Sequence, residues 1–230
     1  MGSYKNGQET KNEIYSSARN VFYQKGFSNA TIKEIVERAS SKLGLFTYYF
    51  ESKEEVALSI YKDFVNDILM ALETAMPELY DGKDVLVTDM AEYMTYFQCI
   101  QANEQTRRFF VELCSCDQFG ELTRELKCFF YERLAQSGIS INPMLREKTY
   151  FSAVASLTAG MENQFFKDVL LKRVPLNFAA ATDFFLNEYY RFLVNDRALI
   201  RGSLHRANQI LRRLSIQVED GFALEITLDQ

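Results

Sequence analysis

The chain contains few of the residue types from which most enzyme sites are built. Its 230 residues include one histidine, no tryptophan and ten glycines, and the glycines form no phosphate-binding loop. No strand-turn-helix nucleophile motif is present. Carboxylates remain as candidate catalytic groups, but no pattern of them points to a reaction. We therefore predict that the chain is not an enzyme, that it has no catalytic residues and that it needs no cofactor.

Cysteine is scarce, and its spacing does not fit a common metal site. Cys99, Cys114, Cys116 and Cys128 lie within one segment, and the single histidine, His205, is far from them in sequence. One residue separates the central pair, whereas the common zinc motifs have a spacer of at least two. We predict reduced, buried thiols and no metal site. A thiol-based redox sensor is the alternative interpretation.

Long apolar runs and strand-like patterns are also missing. No stretch is long and apolar enough to cross a bilayer, and no signal peptide is visible, so we expect a cytoplasmic protein without a membrane partner. The three prolines fall at apparent breaks between helical patterns, and strand-like alternation is absent until the last dozen residues. The fold class is therefore all-α. Helices are predicted over 53–76, 84–101, 104–116, 119–136, 143–172, 176–194 and 196–215.

Capping residues delimit two short helices and the start of a long helix in the segment TIKEIVERASSKLGLFTYYFESK. Thr31 followed by Glu34 predicts a capping box at the start of the first short helix, and Ser52 followed by Glu55 predicts another at the start of the long helix. The serine pair at 40–41 favours a turn between the short helices. This spacing is typical of a helix-turn-helix, in which one helix is presented to the major groove of DNA.

Residues 10–56 resemble the DNA-binding domain of TetR-type transcriptional regulators. The matching features are a first helix with an alanine and a Phe before a Gly, a Thr-capped helix containing Ile-x-x-x-Ala, then Gly44, the pair Tyr49–Phe50 and the pair Ser52–Lys53. The chain departs from the usual pattern in the turn, where two serines replace a glycine and an aliphatic residue. Thr47 stands where a tyrosine is common.

The resemblance implies which residues contact double-stranded DNA. They lie on or beside the second short helix, or at the capped start of the first one. The predicted DNA-contacting residues are Thr31, Lys42, Leu43, Leu45, Thr47, Tyr48 and Lys53.

Charge divides the chain in the same place as the motif. Residues 1–53 carry eight Lys or Arg against five Asp or Glu, whereas the remainder carries 18 against 26. A basic head on an acidic body is the asymmetry expected when only the head meets phosphates. We predict a helix-turn-helix DNA-binding domain over residues 1–51, and a larger helical ligand-binding and dimerisation domain over residues 52–230.

The predicted helix 143–172 carries two unlike stripes, and the helix after it is unusually aromatic. We expect a bulky stripe of Tyr150, Val154, Leu157, Met161 and Phe165 to face the interior of the protomer. The opposite stripe has small side chains, which let another helix approach closely. We predict that both helices form a four-helix bundle with a second copy, as the resemblance also implies. The predicted dimer residues are Ser152, Ser156, Ala159, Asn163, Phe185 and Tyr189.

Residues 93–131 are rich in aromatic side chains, which suits a cavity for a small hydrophobic or aromatic effector. The alternative is that these rings only fill the core. The predicted ligand-binding residues are Tyr93, Phe97, Phe110, Cys114, Tyr131, Met161 and Phe165.

The basic amphipathic segment 197–214 is expected to dock its apolar side on the body rather than on an anionic membrane. Together these patterns predict a dimeric, DNA-binding transcriptional regulator, and the habit of the family it resembles favours a repressor that its effector releases from a palindromic operator. The other interpretations are a helical protein–protein adaptor and the thiol-based regulator described above.

Overall fold

The computed structural model describes residues 2–229, so the outermost residues of the two predicted domains, 1 and 230, lie outside the described part. The order of elements follows the chain, with ten α-helices in this part and a strand pair at its end. The helices are α1 (Gly2–Lys25), α2 (Ile32–Arg38), α3 (Leu43–Tyr49), α4 (Lys53–Ala75), α5 (Val85–Gln101), α6 (Glu104–Leu113), α7 (Asp117–Gln136), α8 (Lys148–Leu170), α9 (Phe178–Leu193) and α10 (Arg197–Leu211).

The predicted all-α architecture is confirmed, with one addition. Strands β1 (Leu214–Glu219) and β2 (Ala223–Leu228) form an antiparallel hairpin in which Leu214 pairs with Leu228. The helix predicted over 196–215 was therefore too long. No helix within residues 2–229 is long and apolar enough to cross a membrane.

The helix predicted over 143–172 is interrupted near its start. Pro143–Arg146 forms a short 3-10 turn, with the Asn142 side chain accepting a hydrogen bond from the backbone N–H of Met144 at 3.2 Å. Glu147 then has extended backbone angles, φ −100° and ψ 124°, which no helix accommodates. The α-helix proper therefore begins only at Lys148.

The first predicted capping box is confirmed and the second is half formed. Thr31 Oγ1 accepts a hydrogen bond from the N–H of Glu34 at 3.2 Å, and the Thr31 N–H donates to the Glu34 carboxylate at 3.1 Å. Ser52 accepts from the N–H of Glu55 at 3.0 Å, but the Glu55 carboxylate accepts from the N–H of Glu51 at 2.6 Å instead of returning to Ser52. Both helices begin where their caps indicate.

Helices α1 to α3, called the head below, pack around a small apolar core. Ile14, Phe22, Ile35 and Phe46 are fully buried there. The turn between α2 and α3 places Ser40 at φ +49°, a left-handed conformation that glycine adopts more easily. This is one of the two turn positions at which the sequence departs from the family pattern.

The C-terminal hairpin is fastened to the head. Phe222, at its tip, is 1% exposed, and its ring packs against Tyr23 of α1, Phe64 of α4 and Phe109 of α6, at centroid distances of 5.2, 6.1 and 4.6 Å. Arg19 donates from Nε to the carbonyl oxygen of Gly221 at 2.9 Å and from Nη2 to that of Phe222 at 3.2 Å. This hairpin thereby holds α1 against α4 and α6. Helices α5 to α10 are called the body below, and α4 connects the head to the body.

Helix α6 makes the second connection between body and head. The Arg108 guanidinium donates to the carbonyl oxygen of Tyr23 at 2.7 Å, and the Glu112 carboxylate accepts from the N–H of Ser28 at 3.0 Å. Gly26, which ends α1 at φ +85°, lies under this contact. A Cβ atom there would come within 2.6 Å of the Glu112 carboxylate, so the positive φ favours glycine and a larger residue would also displace the Glu112 side chain.

The predicted docking of the basic amphipathic segment is confirmed. Ile200, Leu204 and Ala207 of α10 are buried, and α10 packs along α5. On its polar side, the Arg206 guanidinium lies 2.5 Å from the Asp84 carboxylate.

Replacing Ser40 by glycine should stabilise the protein. The substitution removes the cost of a side chain at positive φ, about 1–2 kcal/mol, and part of this gain is lost to the larger entropy of the unfolded chain. We expect the free energy of unfolding in urea to rise by roughly 0.5–1 kcal/mol. Ser28→Gly, in a loop at a residue without positive φ, is the matched control and should lower it instead. A loss of stability in Ser40→Gly would contradict the strained turn.

Candidate DNA interface, ligand cavity and dimer face

Helix α3 exposes the residues that the sequence assigned to DNA. Lys42, Leu43, Thr47 and Tyr48 are all exposed, while Phe46 on the opposite side is fully buried. The Tyr48 side chain is 78% exposed. A short helix that is apolar beneath and carries a lysine and two hydroxyl groups outside has the form of a groove-binding element.

Two further predicted contact residues flank this surface. Leu45 is half-buried and packs against the core of the head. Thr31 is exposed, and its hydroxyl donates to the Glu34 carboxylate at 3.1 Å in addition to capping α2. Leu45 therefore serves packing first, and Thr31 stays accessible at the edge of the head.

Lys53 is placed differently from the prediction. Its Nζ donates to the carbonyl oxygens of Phe27 and Ala30 at 2.8 and 2.9 Å and lies 4.7 Å from the centre of the Phe27 ring. These partners occupy the ammonium group, so it ties the α1–α2 loop to the start of α4 instead of reaching outward. We therefore remove Lys53 from the candidate interface.

The body contains a cavity of about 160 Å³ between α4, α5, α7 and α8. Aromatic and aliphatic side chains form most of its wall, and ionisable groups from α5, α7 and α8 complete it. The lining residues are Tyr61, Val65, Leu69, Asp89, Glu92, Tyr93, Tyr96, Thr123, Leu126, Lys127, Phe129, Phe130, Arg133 and Glu162.

A buried ion pair forms one side of the cavity. Lys127 Nζ lies 2.6 Å from Glu162 Oε2, and the two side chains are only 3% and 4% exposed. The same ammonium donates to the hydroxyl of Tyr93 at 2.7 Å and lies 4.6 Å from the centre of the Tyr189 ring. A buried charge pair is costly unless it is well coordinated, and these contacts supply that coordination for the lysine.

A second ionic cluster lies on α5 and α7. The Arg133 guanidinium bonds to the Glu92 carboxylate at 2.7 Å and more distantly to Asp89 at 3.4 Å. The hydroxyl of Tyr190 also donates to Asp89. Burial, followed by the negative charge of Glu92, raises the pKa of the Asp89 carboxyl well above its usual value, although the bond from Tyr190 opposes this shift.

The structure places only Tyr93 of the seven predicted ligand-binding residues in the wall of this cavity. Phe97 stacks on Phe166 at a centroid distance of 3.9 Å, and the Tyr131 hydroxyl is hydrogen-bonded to Thr158 at 2.5 Å. The predicted residues that lie outside the cavity lining are Phe97, Phe110, Cys114, Tyr131, Met161 and Phe165. The prediction is corrected for these six: the four aromatic side chains pack on rings of the core, and Cys114 and Met161 pack against the same core.

Sequence reasoning missed most of the ionisable residues around the cavity. Asp89 and Glu92 lie one helical turn apart within α5, which is otherwise almost wholly apolar or aromatic. Two carboxylates inside such a segment are unusual, because charged side chains are rarely buried without partners. These two carboxylates in the α5 sequence could have predicted a polar site inside the body.

Within residues 2–229, helices α8 and α9 expose several large apolar side chains to solvent. Leu157 is 66% exposed and Phe184 55%, and Phe192 is also exposed. Ser152 and Ser156, both predicted at the dimer interface, are exposed at helical spacing on the same side of α8. Large exposed apolar side chains beside small ones are typical of a helix–helix contact surface.

The other four predicted dimer residues are buried inside the protomer. Asn163 donates from its amide to the Thr123 hydroxyl at 3.0 Å, and the Tyr189 hydroxyl accepts from that of Tyr93 at 3.3 Å. The corrected residues are Ala159, Asn163, Phe185 and Tyr189. Of the bulky stripe expected to face inward, Tyr150 and Leu157 point to solvent. The predicted stripes differ from the observed faces by part of a turn, because the packing of α8 against α7 and α9 decides which side of it is buried.

The four cysteines are free thiols. Burial raises the pKa of Cys99 to about 12, and it is also the main reason why the pKa values of Cys114, Cys116 and Cys128 lie above normal. In the described residues no group of His, Cys, Asp and Glu is arranged to hold a metal ion. A raised pKa disfavours the reactive thiolate.

Comparison with known proteins connects the head to a family. Residues 14–60 match the family model of bacterial regulatory proteins of the tetR family. An HTH-type transcriptional regulator encoded in the lacX 3′ region of Lactococcus lactis subsp. lactis, itself uncharacterised, is 27% identical over 121 residues. The match covers 49% of this chain and 59% of that relative's length.

Solved structures share the fold over most of the chain. TylP, a TetR regulator from Streptomyces fradiae, is 19% identical with a TM-score of 0.54, covering 92% of this chain and 94% of its own. SmeT, the repressor of a multidrug efflux pump of Stenotrophomonas maltophilia, is 16% identical with a TM-score of 0.55, covering 82% and 93%. These relatives are regulators, in agreement with the prediction that the chain is not an enzyme. Residues 14–60, in the head and the start of α4, thus match the tetR family of bacterial regulatory proteins, and most of the chain shares the fold of TylP and SmeT.

Proposed function

We propose that the protein is a homodimeric, DNA-binding transcriptional regulator whose affinity for DNA is set by a small molecule in the body cavity. The observation that carries the proposal is the surface of α3, which exposes Lys42, Leu43, Thr47 and Tyr48 above a buried apolar side. In this proposal Lys42 and Tyr48 bond to phosphates or base edges, and Leu43 and the Thr47 methyl group meet apolar base edges such as the thymine methyl.

The dimer supplies the geometry for a palindromic operator. Two copies joined through the exposed face of α8 and α9 hold two α3 helices at a fixed separation, and a two-fold axis matches inverted half-sites. Thr31 lies beside each α3 helix and completes the proposed contact surface, with Leu45 supporting it from beneath. Genomic DNA as the partner implies that the protein acts in the cytoplasm.

Helix α4 offers a route from the cavity to the DNA. Its first residue, Lys53, is bonded to the loop of the head, and farther along Tyr61, Val65 and Leu69 line the cavity. A hydrophobic or aromatic effector between α4 and α7 would favour a different position of α4, and with it a different separation of the two heads. Such an effector changes DNA affinity only to the extent that it binds one arrangement more tightly. We propose that it releases the protein from its operator, so that the protein acts as a repressor.

Selection of binding sites from random duplexes tests the DNA-binding proposal. We expect an enriched palindrome whose affinity falls steeply as salt rises, because lysines displace counterions from phosphates. Replacing Lys42 by alanine should lower the slope of log affinity against log salt by about 1.8 for a dimer, roughly 0.9 for each lost phosphate contact. Lys83→Ala, beyond the far end of α4, is the control and should leave the slope unchanged. Absence of any enriched sequence would refute the proposal.

A charge in the exposed face of α8 should separate the protomers. Leu157→Glu leaves the monomer intact, since the side chain is already in solvent, but it would bury an unpaired carboxylate in the dimer. Sedimentation velocity at micromolar concentration should show a dimer for the native chain and a monomer for the variant. Met70→Glu changes an equally exposed residue of α4 and should remain dimeric. A native monomer, or a dimeric Leu157→Glu variant, would exclude this face as the interface.

The thiols of the native protein should react slowly at neutral pH. Their raised pKa values keep them protonated, so we expect the rate with Ellman's reagent to increase with pH well beyond the usual thiol range. The unfolded chain should react rapidly at an ordinary thiol pKa. A variant with all four cysteines changed to serine should keep its DNA affinity with or without oxidant. Loss of the response to oxidant in this variant would instead favour the thiol-based regulator.

A further inference from the structure

The ionisable residues of the cavity do not balance. Three carboxylates, Asp89, Glu92 and Glu162, line it together with two cations, Lys127 and Arg133. All three acids are buried, and burial together with the charge of Glu92 raises the pKa of Asp89, so a negative charge on Asp89 needs a further positive group beside it. A positive group entering the cavity would neutralise the surplus carboxylate, whereas a second anion would double the surplus.

One oxygen of Glu162 is left without a hydrogen-bond donor. Lys127 donates to Oε2, and within residues 2–229 no donor lies in hydrogen-bonding range of Oε1. Each oxygen of a carboxylate can accept hydrogen bonds, so Oε1 is free to accept one from a ligand. Because Glu162 lines the cavity, a ligand there is a natural source of the missing N–H donor.

The hydrogen bond from Arg133 to Asp89 is long, and Arg133 is shared with a second carboxylate. The Arg133 guanidinium donates to both oxygens of Glu92, at 2.7 and 3.4 Å, and reaches Asp89 Oδ1 only at 3.4 Å. One guanidinium thus serves two carboxylates, and Tyr190 supplies the remaining bond to Asp89. Asp89, Glu92 and Glu162 therefore share only two positively charged partners, Arg133 and Lys127.

The rest of the wall is aromatic and the space is small. Tyr93, Tyr96 and Phe130 contribute rings, and aromatic faces attract cations as well as apolar groups. The solvent-exposed Phe129 also lines the cavity, on the α7 side. At about 160 Å³ the cavity is smaller than typical drug-binding sites, which start at about 300 Å³. A ligand of about one ring with a short polar arm fits this description.

We propose that the effector is a small aromatic amine, bound in its protonated form with the N–H groups directed to the carboxylates of Asp89, Glu92 and Glu162. This inference rests on the proposed function in treating the cavity as the effector site, and it adds the chemical class of the ligand. The aromatic ring of the amine lies among the rings of the wall, and the positive charge offsets the surplus carboxylate.

Calorimetric titration with three probes of similar size tests the ligand class. The probes are 2-phenylethylamine, which is a cation at neutral pH, the uncharged 2-phenylethanol, and the anion phenylacetate. We expect the amine to bind the native dimer at least about tenfold more tightly than the alcohol, since a hydrogen bond to a buried charge contributes about 1.5–3 kcal/mol. Phenylacetate should bind most weakly. Equal binding of amine and alcohol, tighter binding of phenylacetate, or no binding of any probe would overturn the proposal.

A conservative variant tests whether the preference for the amine over the alcohol arises in the cavity. Glu92→Gln keeps the shape of the side chain and removes the surplus charge, so the preference for amine over alcohol should fall by roughly tenfold while alcohol binding is retained. Asp168→Asn changes a half-buried carboxylate outside the cavity that is paired with Arg173; it is the matched control and should keep the full preference. An unchanged preference in Glu92→Gln would overturn the proposal. The probe series on the native protein decides the matter even if that variant does not fold.

The titrations are made without DNA, so this inference and the proposed function can fail separately. Amine binding without any effect on a selected operator would leave the ligand class intact and refute effector control. An operator that is bound and released by some other molecule, with no affinity for the amine, would support the proposed function and refute the ligand class.

Discussion

The packing of Phe222 and its aromatic neighbours between head and body is the contact on which the remaining structure depends. The head alone is too small to bury a substantial core. The ring of Phe22 in α1 stacks on that of Phe109 in α6, and the ring of Phe222 packs against Phe109 in the same cluster. Head and body therefore share one apolar core, and the orientation of α3 follows from how the body is packed.

Because head and body share one core, a change of packing at the cavity can change the position of the head. Close-packed interiors shift between discrete arrangements more readily than they deform. Helix α4 belongs to both parts, because its start is bonded to the head through Lys53 and its middle borders the cavity through Tyr61 and Val65. Under the proposed function, a ligand acts by favouring one packing of α4, and the hairpin transmits that choice to α1.

Stability explains the buried charges of the body poorly, and under the proposed function they serve recognition of the effector. Replacing a buried ion pair with well-packed apolar residues is often neutral or stabilising, so Lys127 and Glu162 are weak evidence for a role in folding. Their position in the cavity wall, beside aromatic rings, suits recognition instead. Burial and the charge of Glu92 raise the pKa of Asp89, and a positive group bound beside it would lower that pKa again.

The sequence by itself determined the features that depend on neighbours along the chain: the caps at Thr31 and Ser52, the helix-turn-helix with its exposed α3, and the helical body. Local hydrogen bonds and helical periodicity are sufficient for these. Only the tertiary structure decided that Lys53 is occupied by the loop of the head, and that Phe185 and Tyr189 are buried. It also decided that the cavity is lined by Asp89, Glu92 and Lys127 rather than by most of the predicted rings, because the walls of a cavity come from helices distant in sequence, whose rotation and crossing are fixed by packing.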